Sequence, residues 1–211
     1  MDDQTIVIVS GIPRSGTSMM MQMLSAGGMA VWTDQVRPAD EHNERGYFEL
    51  DPVRRTAQSA QWVEQAPGKA VKVIFRLLYH LPPDRPCRVV FMLRDLDDVV
   101  ASQDAMLALS GAMAVSQGPW VRALLADALA RCRAWLARQA NMRVLYVEYG
   151  RVLEDPAGQA RAVAAFVEHD LDVAAMAASV RPELCHQGRL GVQQDGRPAC
   201  RESELGKERA S

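Results

Sequence analysis

At 211 residues and 48% hydrophobic content, the chain suits one compact domain with a substantial core. A net charge of −2 and an isoelectric point near 6.1 offer no general basic surface, which argues against nucleic-acid binding. Lysines occur only at Lys69, Lys72 and Lys207, so arginine is the default anion ligand.

The N-terminal stretch "MDDQTIVIVSG" is acidic and runs straight into a strand, unlike a signal peptide. "TIVIVS" (5–10) is a short apolar, β-branched run bounded by a glycine-rich turn, the pattern of a buried parallel strand. "TSMMMQMLSAGG" follows as a helix closed by Gly27 and Gly28, with its methionines assigned to core packing. Gln22 and the two glycines interrupt the longest apolar region, which is too short to span a bilayer. A soluble, cytoplasmic protein is expected. Residues 29–66 are mixed and polar. "AVKVI" (70–74), "RVVFMLR" (88–94) and "RVLYVEY" (143–149) read as three further strands. "DLDDVVASQDAMLAL" (95–109) reads as a helix whose first acidic residues suit its N-terminal dipole. Between Gly118 and Asn141, apolar residues from Val121 to Leu136 recur at helical spacing. "DPAGQARAVAAFVEH" and "LDVAAMAASV" supply two more helices. The predicted organisation is a single domain over 1–187, followed by a polar tail, 188–211, that is flexible or acts as a lid.

Alternating strands and helices imply an α/β fold with a parallel sheet and helices on both faces. Ligands of such sheets bind beyond the carboxyl ends of the strands. Two segments begin there, Gly11–Ser18 and Arg94–Ser102. Cys87, Cys132, Cys185 and Cys200 lie scattered, without metal-ligand spacing, so reduced thiols and no metal site are expected.

The first segment, "SGIPRSGTS", keeps the G-x-x-x-x-G frame of a Walker loop but has Thr17 where the motif wants lysine. Its backbone N–H groups and the following helix dipole still form an anion cradle. Arg14 is its only cation and so replaces the missing lysine, while Thr17 and Ser18 add hydroxyls. The absent lysine makes an ATP- and Mg²⁺-dependent phosphotransferase the weaker reading; a non-catalytic nucleotide-binding protein is a third. In the second segment, Arg94 offers a planar fork suited to phosphate, and Ser102 lies about two helical turns further on.

Together these residues carry a family resemblance. "GIPRSGTS" resembles the 5′-phosphosulfate loop of the PAPS-dependent sulfotransferases, and "RDLDDVVAS" resembles their 3′-phosphate motif. "VLYVEYGRVLEDP" (144–156) is similar to a later family segment, with Gly150 and Arg151 departing from it. The resemblance implies a P-loop-like sulfotransferase fold. It also implies transfer of a sulfuryl group from 3′-phosphoadenosine 5′-phosphosulfate (PAPS) to a hydroxyl or amine, leaving adenosine 3′,5′-bisphosphate (PAP), with no metal. Ser15, Gly16, Thr17 and Ser18 would hold the 5′-phosphate, and Arg14 would stabilise charge on the bridging oxygen. Arg94 and Ser102 would hold the 3′-phosphate. Tyr149 falls at an adenine-contacting position, or is a core residue.

The proton acceptor has several candidates. His80 echoes one branch of the family, although the chain between Ile74 and Leu81 separates it from the strand it should follow. Carboxylate-using branches point to "DEHNERGYFELD", where Glu44 and Glu49 flank Tyr47 and Phe48, an aromatic pair of the kind that desolvates a carboxylate. Glu49 is favoured and Glu44 second, with Asp34, Asp40 and Glu41 behind. Lys72 would meet sulfuryl oxygens or pair with an acid. A small or medium-sized acceptor is expected, and the acidity of 34–51 argues against a strongly anionic polysaccharide. The sequence leaves a homodimer open.

Overall fold

The computed structural model describes residues 5–34, 48–109 and 119–181. Glu44, Asp40, Glu41 and the tail therefore lie outside the described residues. β1 (Ile6–Gly11) is followed by α1 (Thr17–Ala26), a short α2 (Asp51–Arg54) and β2 (Ala70–Lys72). Then come β3 (Cys87–Leu93), α3 (Leu96–Leu109), α4 (Pro119–Leu136) and β4 (Met142–Glu148). α5 (Tyr149–Glu154), α6 (Pro156–Val167) and α7 (Val173–Ala178) complete the described chain. Strands pair in the order β2-β1-β3-β4, all parallel.

Strand side chains alternate, so each strand feeds both faces. Val7 and Val9 of β1 pack with Met20, Met21, Met23 and Leu24 of α1 and with Val163 and Met176 from α6 and α7. Ile6 and Ile8 pack on the opposite face with Phe91, Trp62, Leu78 and the α4 residues Cys132 and Leu136. Both faces are covered, which is why the strands read as unbroken apolar runs. The α1 methionines fill this core, as their unbranched side chains suit.

Some local structure was not legible in the sequence. Phe75–His80 forms a 3₁₀ segment in the β2–β3 crossover, and α5 follows β4 without a break. Val31 bridges Ala70 in parallel, so the 30–34 segment lengthens the sheet beyond its β2 edge.

At the amino edge of the sheet, buried Arg88 of β3 donates to the Phe166 carbonyl and pairs with Glu168, just past α6. The hydrogen bond from Arg88 holds the Glu168 carboxyl below its usual range. A depressed folded-state value means the stabilisation is present above the ordinary carboxylate range and is lost as pH falls through the folded value. Glu168→Gln is therefore expected to lower Tm at neutral pH. The gap from the parent protein should narrow as the pH is taken into the acid range, as measured by thermal unfolding at several pH values.

Candidate active site

The Gly11–Ser18 loop leaves the carboxyl end of β1 at the centre of the sheet. Its path needs positive φ at Gly16 (95°) and also at Arg14 (75°). Gly16 is the N-cap of α1 and no side chain caps the helix, so its first-turn N–H groups face the loop without a side-chain acceptor. The Ser15 hydroxyl is buried and, like that of Ser10 beneath it, has no hydrogen-bond partner in the fold. Buried hydroxyls are normally satisfied, so an orphaned one beside the glycine loop is a candidate for a ligand-facing donor. Gly11 is fixed by crowding: a Cβ there would lie 2.4 Å from Ser15 Oγ and 2.8 Å from the Met92 carbonyl oxygen.

The second segment closes over this loop. Arg14 Nε donates to Ser102 Oγ at 2.9 Å, and Arg94 Nη1 donates to the Arg14 carbonyl at 3.1 Å. Gln103 Nε2 also reaches the Pro13 carbonyl, at 3.4 Å. Asp95 does not compete for Arg94: its carboxylate accepts the N–H groups of Asp97 and Asp98 and starts α3. Asp97 pairs instead with Arg122 of α4. The Arg94 guanidinium lies 4.5 Å from the centre of the Tyr149 ring, a cation–π contact.

Tyr149 braces the arrangement. A Cβ on Gly16 would come within 2.5 Å of the Tyr149 ring. The ring thus fills the space that only glycine leaves, and links the loop to Arg94. Gly16→Ala would meet both the ring and an unfavourable φ, a strain of about 1–3 kcal/mol. It is expected to lower Tm by several degrees, as read by thermal unfolding.

On the other flank, Lys72 at the end of β2 donates to Ser18 Oγ at 3.1 Å. Register explains the meeting: Lys72 lies opposite Val9, two residues before the loop begins. The sequence puts Lys72 on the second strand, to meet sulfuryl oxygens or pair with an acid, and does not show the meeting with Ser18. Its signal was a rare lysine at the carboxyl end of a buried strand.

The base candidates are placed differently. The Glu49 carbonyl accepts from Thr33 Oγ1 and the Asp34 N–H, and the Asp51 N–H donates to the Asp34 carboxylate. These bonds tie the Glu49 backbone to the 33–34 segment, just past the Val31–Ala70 bridge beside β2. Phe48, beside it, holds a positive φ of 51°. His80 is exposed at the end of the 3₁₀ segment. Two residues on, the Pro82 carbonyl accepts from Asn141, which precedes the amino end of β4. The chain carrying His80 thus runs toward the opposite edge from the glycine loop.

The model of the sulfotransferase domain family matches residues 4–184, and the chain belongs to that family. Among solved structures, it is similar to the sulfotransferase domain from the Synechococcus PCC 7002 olefin synthase. The two are 17% identical, with a TM-score of 0.48 and coverage of 86% of this chain and 79% of that one. No curated protein matches the chain. Among the described residues, no cluster of side chains could hold a metal ion and no helix is long and apolar enough to cross a membrane.

Proposed function

We propose that the chain transfers a sulfuryl group from PAPS to a hydroxyl or amine of a small or medium-sized acceptor. The observation that supports this most is the pair of bonds Arg14–Ser102 and Arg94–Arg14 carbonyl. They join the glycine loop to Arg94 and α3, which brings side by side the two segments that would hold the 5′-phosphosulfate and the 3′-phosphate. The residues suit that donor: an uncapped helix start, a buried Ser15 hydroxyl without a partner, and cationic side chains from three elements.

PAPS brings an already activated S–O bond, so the protein's task is to position and to stabilise charge. The first-turn amides of α1, with Ser15, Gly16, Thr17 and Ser18, hold the 5′-phosphate. Arg94 and Ser102 hold the 3′-phosphate, and Tyr149, already stacked under Arg94, borders the nucleoside. Arg14 neutralises the negative charge that grows on the bridging oxygen as the bond from that oxygen to sulfur breaks. Lys72 stabilises the equatorial sulfuryl oxygens. Glu49 takes the acceptor proton as the new O–S bond forms, with Glu44 and His80 as alternatives. PAP leaves with the bridging oxygen. The left-handed backbone at Phe48, next to Glu49, supports this choice, since backbone strain of this kind clusters at functional positions. The thiols of Cys87 and Cys132 are free and buried, and burial pushes Cys87 up to about 12. Such inert thiols suit a reducing cytoplasm.

The test follows PAP release from PAPS over a panel of hydroxyl and amine acceptors, with Mg²⁺ chelated. Acceptor-dependent release supports the reading; release only with Mg-ATP as donor defeats it. Glu49→Gln should lower turnover by about 10²–10⁴-fold if Glu49 is the base, with PAP affinity nearly unchanged.

A further inference from the structure

Four large apolar side chains are well exposed among the described residues: Ile74 (39%), Tyr79 (40%), Leu124 (48%) and Trp120 (64%). All four stand on two neighbouring elements. Ile74 caps the start of the 3₁₀ segment and Tyr79 lies within it, while Trp120 and Leu124 occupy the first two turns of α4. Between these elements runs a groove of about 550 Å³. Its lining takes Phe75 and Tyr79 from one side and Leu124 and Ala128 from the other. None of the lining comes from the glycine loop, Lys72 or the Arg94–Ser102 segment, so this surface is separate from the donor site. Single exposed apolar residues are ordinary, but a cluster that gathers every large one described marks an interaction surface.

The way α4 is used explains the cluster. Leu125, Cys132 and Leu136 form its buried stripe and pack into the core. Trp120, Leu124, Ala128 and Arg131, at i, i+4, i+8 and i+11, share a different face, about 16 Å long. That face begins apolar and ends basic. Arg131 lines the groove together with Arg76 and Arg138, and no acidic side chain is among the lining residues. Asp127 pairs with Arg131 from outside the lining, but both groups are well exposed and such pairs are weak. Arg138 Nε donates to the Ala134 carbonyl, which fixes the direction of its guanidinium at the end of the helix. Tyr79 is steadied by the Trp135 ring, 4.7 Å away between centroids. Trp, Tyr and Arg, already oriented, are the residue types that carry most binding energy at protein interfaces.

We infer that this face docks an acidic amphipathic helix of a partner protein. The partner's apolar stripe covers Trp120, Leu124 and Tyr79, and its carboxylates meet the three guanidinium groups. The charge of the lining selects an acidic partner over a basic one. Ile74 and Trp120 carry the apolar surface beyond the groove itself, so a small anion held in the groove would leave them bare. A helix of about four turns spans the whole face.

The probe is a 16-residue helical peptide with leucines at i, i+4, i+7 and i+11 and glutamates flanking that stripe. One control replaces each glutamate by glutamine, and another scrambles the order to break the stripe. Calorimetry should show the glutamate peptide binding at least about tenfold more tightly than either control. Raising the salt concentration should weaken it. Arg76→Gln/Arg131→Gln should erase its advantage over the glutamine peptide, and Trp120→Ala/Leu124→Ala its advantage over the scrambled one. All four substitutions lie at exposed positions, so Tm should hold and PAP affinity should stay within about twofold. Equal binding of the glutamate and glutamine peptides, or no saturable binding, would overturn the proposal. So would a scrambled peptide that binds as well as the ordered one, which would reduce the face to a site for bare anions. Self-association of the chain that the same variants abolish, read by sedimentation, would assign the face to a second copy instead.

Discussion

Arg14→Ala is expected to lower sulfuryl-transfer turnover by about 10²–10³-fold, the usual cost of removing one preorganised donor from a site of developing charge. Arg14 is the only cation in the loop, and its backbone already occupies the left-handed region at φ 75°. Its Nε is held by Ser102, so the side chain is oriented before any ligand arrives. An interaction that strengthens as the S–O bond breaks acts on kcat rather than on ground-state binding. PAP affinity should therefore change much less than turnover. Arg14→Lys should recover part of the loss, because it keeps the charge but not the planar fork. The check is kcat and KM for PAPS at a fixed acceptor concentration, beside calorimetric titration with PAP. Full activity in the alanine variant would remove the loop from the chemistry.

Arg94→Ala should act on affinity instead. Two observed interactions go together, the bond to the Arg14 carbonyl and the stacking on Tyr149, along with the charge proposed for the 3′-phosphate. A hydrogen bond to a charged group is worth about 1.5–3 kcal/mol, so PAP should bind about 10- to 150-fold more weakly. Adenosine 5′-monophosphate, which lacks the 3′-phosphate, should lose only the indirect part, about a few-fold. Comparing the two ligands on the parent and the variant isolates the 3′-phosphate contact. Equal losses for both would mean that Arg94 only shapes the loop.

Sequence carried the scaffold well. Short, nearly continuous apolar runs marked all four strands, because a parallel sheet buried on both faces leaves little else to write there. The loop and the Arg94–Ser102 segment were legible because each is local: a few residues at fixed spacing on one strand–helix unit. What escaped was long-range. Nothing near Tyr149 announces that its ring will fill the gap above Gly16, and nothing near Lys72 announces Ser18, because both meetings depend on sheet order. The Arg88–Glu168 pair was hidden for the same reason, since it joins a strand to the end of a helix far along the chain. The 3₁₀ segment was also missed: Phe75 and Leu78 are buried three residues apart, too short a pattern to stand out. That segment carries His80 away from the carboxyl edge of the sheet.

If the glycine loop and the Arg94–Ser102 segment form one donor site, calorimetric titration of the folded chain with PAP, in the absence of divalent metal, should give saturable one-to-one binding. That binding should be tighter than that of adenosine 5′-monophosphate and independent of added Mg²⁺. No binding to folded protein, or tight binding reserved for Mg-ATP, would rule out a shared donor site.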